Sequence, residues 1–157
     1  MQPQNVKKII SYYGRIPGMI KLLKQEKAEL EDKYNLLRNA MGGTSKNSTP
    51  GNPIETFVCL DDGESGNKIQ EVTVKIQVLD MDSMTIKNCL DSIYSKYKQI
   101  IFMRYFRDYS WTRISAELSI SNRTAQRQHN KAIEKLGAVL DEAPMIEEIS
   151  RRAHACF

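Results

Sequence analysis

Residues 110–136, SWTRISAELSISNRTAQRQHNKAIEKL, hold two helical patterns separated by almost nothing. Trp111, Ile114 and Leu118 share one face of the first, and Ala125, Ala132 and Leu136 form the inner stripe of the second. Ser110 and Ser121 each stand just before a pattern, where a cap side chain accepts a bond from an orphan backbone N–H. Ser119 and Ile120 turn the chain between the two. This spacing is that of a helix-turn-helix: a short scaffold helix, a tight turn and a second helix set across it.

The second helix carries the chemistry. Arg123, Arg127, Lys131 and Lys135 recur every fourth residue and line one side, away from the inner stripe. Between Glu117 and Asp141 only Glu134 opposes them. Asn122, Thr124, Gln126 and Asn130 are interleaved. Amides pair with adenine, arginine pairs with guanine, and all of these reach phosphates. A helix N-terminus also favours phosphate oxygens. A helix in the major groove offers its N-terminal residues to base edges, so Asn122, Arg123, Gln126 and Arg127 are expected to read bases. Arg113, Lys131 and Lys135 suit the backbone, and Ser121, Thr124 and Asn130 complete the candidate DNA-binding set. A solvated face is the bland account of such a row. The double caps and the amide-rich first turn favour DNA.

Upstream, Val6, Ile9, Tyr13, Ile16, Ile20, Leu23, Lys27, Leu30, Tyr34, Leu37 and Met41 alternate in steps of three and four. That is the a/d pattern of a coiled-coil seam, interrupted by charge at Lys27. Either the helix packs within its own chain, or Ile9, Tyr13, Ile20, Leu23, Lys27, Leu30, Tyr34 and Leu37 form an oligomerisation seam between copies. Pro17-Gly18 predicts a kink or break near residue 16. Residues 42–53, GGTSKNSTPGNP, read as a linker and lack the spacing of a phosphate-binding loop. Alternation over Val72, Val74, Ile76 and Val78 fits a strand, while Ile76, Leu79, Ser83, Ile86, Leu90, Ile93 and Tyr97 fit a helical stripe. Length favours a helix over about 71–96. The expected fold is all-α. Its parts are an N-terminal helical or coiled-coil segment (1–41), a linker (42–70), a helix-turn-helix domain (71–140) and a C-terminal tail (141–157).

Charge and cysteine usage narrow the function classes. Residues 1–41 carry eight basic and four acidic side chains and residues 99–140 carry seven and three, while the segment between is mildly acidic. Two basic blocks suit a polyanion partner. Cys59, Cys89 and Cys156 are odd in number and never paired as CxxC, which argues against a disulfide framework or a zinc site. With only His129 and His154 beside them, no metal and no cofactor is expected. Asp61–Ser65 (DDGES) reads as a loop, and His129 as a packed residue of the inner stripe. Trp111 reads as an anchor of the scaffold helix, and in MRYFRDY the spacing buries Met103 and Phe106. No triad, paired carboxylates or phosphate loop stands out, so no enzyme is expected. Nothing is apolar and long enough to span a membrane or to serve as a signal peptide, so the reading is a cytoplasmic protein.

The stretch IIFMRYFRDYSWTRISAELSISNRTAQRQHNKAIEKL resembles region 4 of bacterial sigma factors. More closely, it is similar to the sigma-like helix-turn-helix of phage and prophage regulators of the ArpU/RinA type. The resemblance covers residues 96–140 and rests on the MRYF helix end, SWTRISAEL and SISNRTAQRQHNKAIEKL. Two positions depart from it: Ser115 where the family usually has alanine between the helices, and Ser119 where glycine is common. The other regions of a complete sigma factor find no match. The resemblance implies a regulator of phage late or packaging genes that acts at a promoter.

The expected partner is double-stranded DNA, bound by a homodimer or higher homo-oligomer, with RNA polymerase a further candidate. Two alternatives stand beside it. One is a packaging component like a small terminase subunit, recognising DNA as a ring. The other is a helix-turn-helix adaptor turned to protein contact on RNA polymerase.

Overall fold

In a computed structural model, residues 1–42 and 53–156 are described, with side chains outside 40–65. The fold is all-α. Six helices follow in order: α1 (Pro3–Gly42), α2 (Pro53–Ser92), α3 (Ser95–Tyr105), α4 (Trp111–Leu118), α5 (Asn122–Asp141) and α6 (Ile146–Ala155). Among the described residues no helix is long and apolar enough to cross a membrane. Each long helix begins on a proline, where the missing N–H is an orphan anyway and φ is already helical.

The chain forms two compact units, Met1–Pro17 with Asp80–Phe157, and Gly18–Leu79. The second consists of the later part of α1 and the earlier part of α2. Ile20, Leu23, Leu30, Tyr34 and Leu37 are half-buried there, while Val72, Ile76 and Leu79 of α2 are buried. Glu26 of α1 lies close enough to Lys75 of α2 to raise the lysine pKa, behind the larger influence of Glu71 at 2.7 Å. Lys27, the charged interruption of the stripe, reaches Glu31 one turn on at 3.6 Å. An i,i+4 partner along its own helix thus answers this charge.

In the first unit, Val6, Ile9, Ile10, Tyr12 and Ile16 are buried with Ile86, Leu90, Ile93, Ile100, Ile101, Ile133, Leu136 and Leu140. α1 approaches α5 closely: a Cβ added at Gly137 would stand 3.2 Å from Val6 Cγ2. Ile149 and Ala153 of α6 are also buried. Between α1, α2 and α6 lies Asp82, only 2% exposed. It accepts from Tyr12 Oη at 2.8 Å and from Arg152 Nε and Nη2 at 2.7 and 2.6 Å. Burial, reinforced by the carboxylate, pushes the Tyr12 hydroxyl pKa far up, and the bond to Asp82 raises that of Arg152.

Several expectations are corrected. α1 runs through Pro17 without a break. The proline sits exposed, and Ile16 beside it is fixed in the core. Ile9 is fully buried inside its own chain and therefore leaves the candidate seam; Tyr13 packs edge-on against Phe106 with ring centroids 5.6 Å apart. Residues 53–70 of the expected linker belong to α2, including the backbone of Asp61–Ser65, whose side chains lie outside the described residues. Residues 43–52 of that linker also lie outside them. The helix favoured over residues 71–96 holds from 71 to Ser92, because 72, 76 and 79 meet one buried face, while its last residues belong to α3. The tail folds as α6, with Glu147 and Glu148 in its first turn and Arg152 and His154 in its last, complementing the helix dipole.

Candidate nucleic-acid interface

Local chemistry builds the turn. Phe106 N–H bonds to Phe102 O and ends α3, and Asp108 takes a left-handed φ of 51° to reverse the chain. Ser110 Oγ then accepts from Arg113 N at 3.3 Å and caps α4. α4 lasts eight residues and stops at Ser119, with φ 52° and ψ 43°. Here the N–H groups of Ser119 and Ile120 bond back to Ala116 O and Ser115 O. That is the left-handed cap glycine usually supplies, so the departure at Ser119 carries backbone strain of about 1 kcal/mol. Ser121 Oγ accepts from Thr124 N at 3.1 Å and starts α5. The other departure, Ser115, is half-buried and donates its hydroxyl to Thr112 O at 2.9 Å, so no polar atom is stranded between helices.

A small apolar cluster locks the two helices: Met103, Ile114 and Ala125 at its centre, with Tyr109, Trp111, Leu118 and Ile120 packed around. Behind α5, His129 is 4% exposed. Its ring stacks on Tyr105 with centroids 5.8 Å apart and meets Trp111 edge-on at 5.2 Å. Nδ1 lies 3.4 Å from Asn130 Oδ1 and Nε2 lies 3.3 Å from Tyr105 Oη, a pattern that suits a neutral ring protonated on Nδ1. Burial lowers its pKa, with Lys7 and Arg104 acting the same way and Asn130 opposing. Burial likewise raises the Tyr105 hydroxyl. This histidine is packing, as its place on the inner stripe predicts.

The opposite face of α5 is open. Asn122, Arg123, Gln126, Arg127, Asn130, Lys131 and Lys135 are all exposed. Among the described residues no carboxylate lies within ion-pair distance of Arg123, Arg127, Lys131 or Lys135. Four members of the expected set also have partners within the chain. Ser121 and Thr124 share a hydroxyl–hydroxyl bond of 2.8 Å at the cap, and Thr124 is half-buried. Asn130 Oδ1 faces His129, which leaves its amide hydrogens for a ligand. Arg113, exposed, stands over Tyr109 with Cζ 3.8 Å from the ring centre and donates to Tyr109 Oη at 3.1 Å.

Two arginines that share Tyr109 with Arg113 were not in the sequence-derived set. Arg104 donates to Tyr109 O at 2.9 Å and stands 5.0 Å above the Trp111 ring. Arg107 lies 5.9 Å from the Tyr109 ring centre. The interleaving of Arg and aromatics in MRYFRDYSWTR was the available signal, since such pairs form cation–π contacts once a turn brings them together.

The family model described as "Protein of unknown function (DUF722)" matches residues 3–138, and the chain belongs to that family. The match takes in both long helices and the helix-turn-helix. No curated protein and no solved structure matches the chain.

Proposed function

We propose that this member of the DUF722 family is a sequence-specific double-stranded DNA-binding protein that lays α5 in the major groove, and acts as a transcriptional regulator of the phage or prophage type. One observation carries the reading. The exposed face of α5 presents four basic and three amide side chains, and no ion pair within the described residues compensates the basic ones. A solvated helix face usually interleaves acids at i,i+4, whereas this one holds only Glu134. The cap at Ser121 supports the geometry, because it fixes where α5 begins and puts exposed Asn122 and Arg123 at its leading end.

Binding as a homo-oligomer belongs to the same proposal. With Ile9 committed to the core, the candidate self-association residues reduce to those from Ile20 to Leu37, and exposed Leu22 and Leu36 lie beside them on α1.

The test is a fluorescence titration against a pool of duplexes from the neighbouring genome at two salt concentrations, with complex size followed by light scattering. Site-selective binding by a dimer supports the regulator. A ring-sized assembly moves the reading to DNA packaging, and absence of binding at low salt by folded protein removes it.

A further inference from the structure

The α3–α4 connection gathers three guanidinium groups around one tyrosine. Tyr109 is fixed by its backbone: its N–H donates to Met103 O at 2.9 Å, and its carbonyl accepts from Arg104 Nη1 at 2.9 Å. Its hydroxyl accepts from Arg113 Nη2 at 3.1 Å, and its ring packs against the Met103–Ile114–Ala125 cluster. On that ring lies Arg113, at 3.8 Å, and near it Arg107, at 5.9 Å. Both arginines are exposed, and Arg107 also stands 5.7 Å from the Phe102 ring. Asp108 pays no part of the charge as an ion pair: among the described residues, none of Arg104, Arg107 and Arg113 has a carboxylate within 4.0 Å.

Like charges gathered without a counter-ion repel each other, and here a left-handed non-glycine residue, Asp108, is the turn that brings them together. Guanidinium planes held on an aromatic ring lose little further freedom on meeting an anion, and their forks match phosphate oxygens. The cluster also flanks α5. Trp111, two residues beyond Tyr109, meets His129 edge-on at 5.2 Å, and Asn130 of the open face follows His129.

Resting on the DNA reading above, we infer that Arg107 and Arg113, set by Tyr109, form a phosphate clamp on the duplex backbone beside the groove that α5 enters. The clamp carries no base information. Tyr109 is a positioning residue, acting through Arg113.

The experiment measures the salt dependence of binding to a labelled duplex of about three helical turns holding the selected site, and to one lacking it. Arg107→Gln and Arg113→Gln should each flatten the slope of log K against log salt by about one unit on both duplexes. Arg113→Lys keeps the charge but loses the planar stacking, so the slope stays and affinity falls several-fold. Tyr109→Phe keeps the ring, and should likewise weaken binding at unchanged slope. An unchanged slope for either glutamine variant, with circular dichroism like the parent, overturns the clamp while the DNA reading stands. If the parent protein binds neither duplex, both fall together.

Discussion

Two tyrosine–arginine clusters in the same unit are built from similar parts and end in opposite chemical situations. In the first, Tyr12 and Arg152 converge on Asp82, which is almost fully buried and accepts three bonds. In the second, the exposed Arg107 and Arg113 converge on half-buried Tyr109, with no acid in ion-pair reach among the described residues. Burial explains the difference. A charge removed from water must be paired and hydrogen-bonded, so the interior cluster closes on itself. A cluster at the surface stays hydrated and can keep its charge uncompensated, available to an anion. The contrast separates what holds α1, α2 and α6 together from charge left open at the surface.

The largest effect should come from the closed cluster. Asp82→Ala leaves the Arg152 guanidinium and the Tyr12 hydroxyl without their acceptor. The expected loss is about 3 kcal/mol of unfolding free energy, the lower end for a broken buried pair, because Arg152 is 31% exposed and keeps Glu148 at 3.7 Å. Urea unfolding followed by circular dichroism reads it. Arg107→Gln, on the open cluster, should move stability by no more than about 0.5 kcal/mol. Equal losses for the two would break the distinction between interior and partner-facing charge.

Next in size are effects on binding rather than folding. Arg127→Ala should cost about 1–3 kcal/mol of binding free energy and relax preference at one base pair. Lys135→Ala should weaken binding on all sequences and flatten the salt slope by about one unit. Sequence-blind losses for both would remove Arg127 from base reading and leave the open face purely electrostatic.

A smaller effect tests the frame that aims the open face. Ser121→Ala removes the oxygen that accepts from Thr124 N and should cost about 1 kcal/mol in a thermal or urea melt. If stability is unchanged, a neighbouring group or water replaces the cap. This frame was legible in the sequence because its determinants lie within a few residues of each other: Ser110 and Arg113, Ser121 and Thr124, Ile114 and Ala125. The closed cluster was not legible. Asp82 lies 70 residues from Tyr12 and 70 from Arg152, and an aspartate beside a helical stripe reads as surface until its partners are known. The same limit governs α1. Its stripe showed which face is apolar, while the partner of that face, the chain's own core for Val6, Ile9 and Ile16, is a long-range fact. Of the kink or break expected at Pro17, the break does not occur, since α1 continues past the proline. α6 left a readable trace, Ile146, Ile149 and Ala153 on one face with acids first and bases last, but ten residues are too few for periodicity to stand alone.

His129 sits at the boundary between the two situations, buried like Asp82 but on the helix that carries the open face. It has no acid to close on: the groups around it are Tyr105, Trp111, Asn130, Arg104 and Lys7, two of them cationic. Its pKa is therefore depressed in the folded protein, chiefly by burial. The unfolded chain binds a proton more readily, so stability is complete above the ordinary histidine value of about 6.5 and falls as pH drops below it. At pH 6 the loss cannot exceed about 0.8 kcal/mol, the limit for a folded-state imidazole that stays neutral. The check is the difference in unfolding free energy between pH 7.5 and pH 6 for the parent and for His129→Gln, where the glutamine should remove this share of the pH dependence. If parent and variant respond identically, His129 tolerates its charge in place. The back of α5 would then admit an uncompensated charge as readily as its front, and burial would cease to explain why only one of the two tyrosine–arginine clusters closes on an acid.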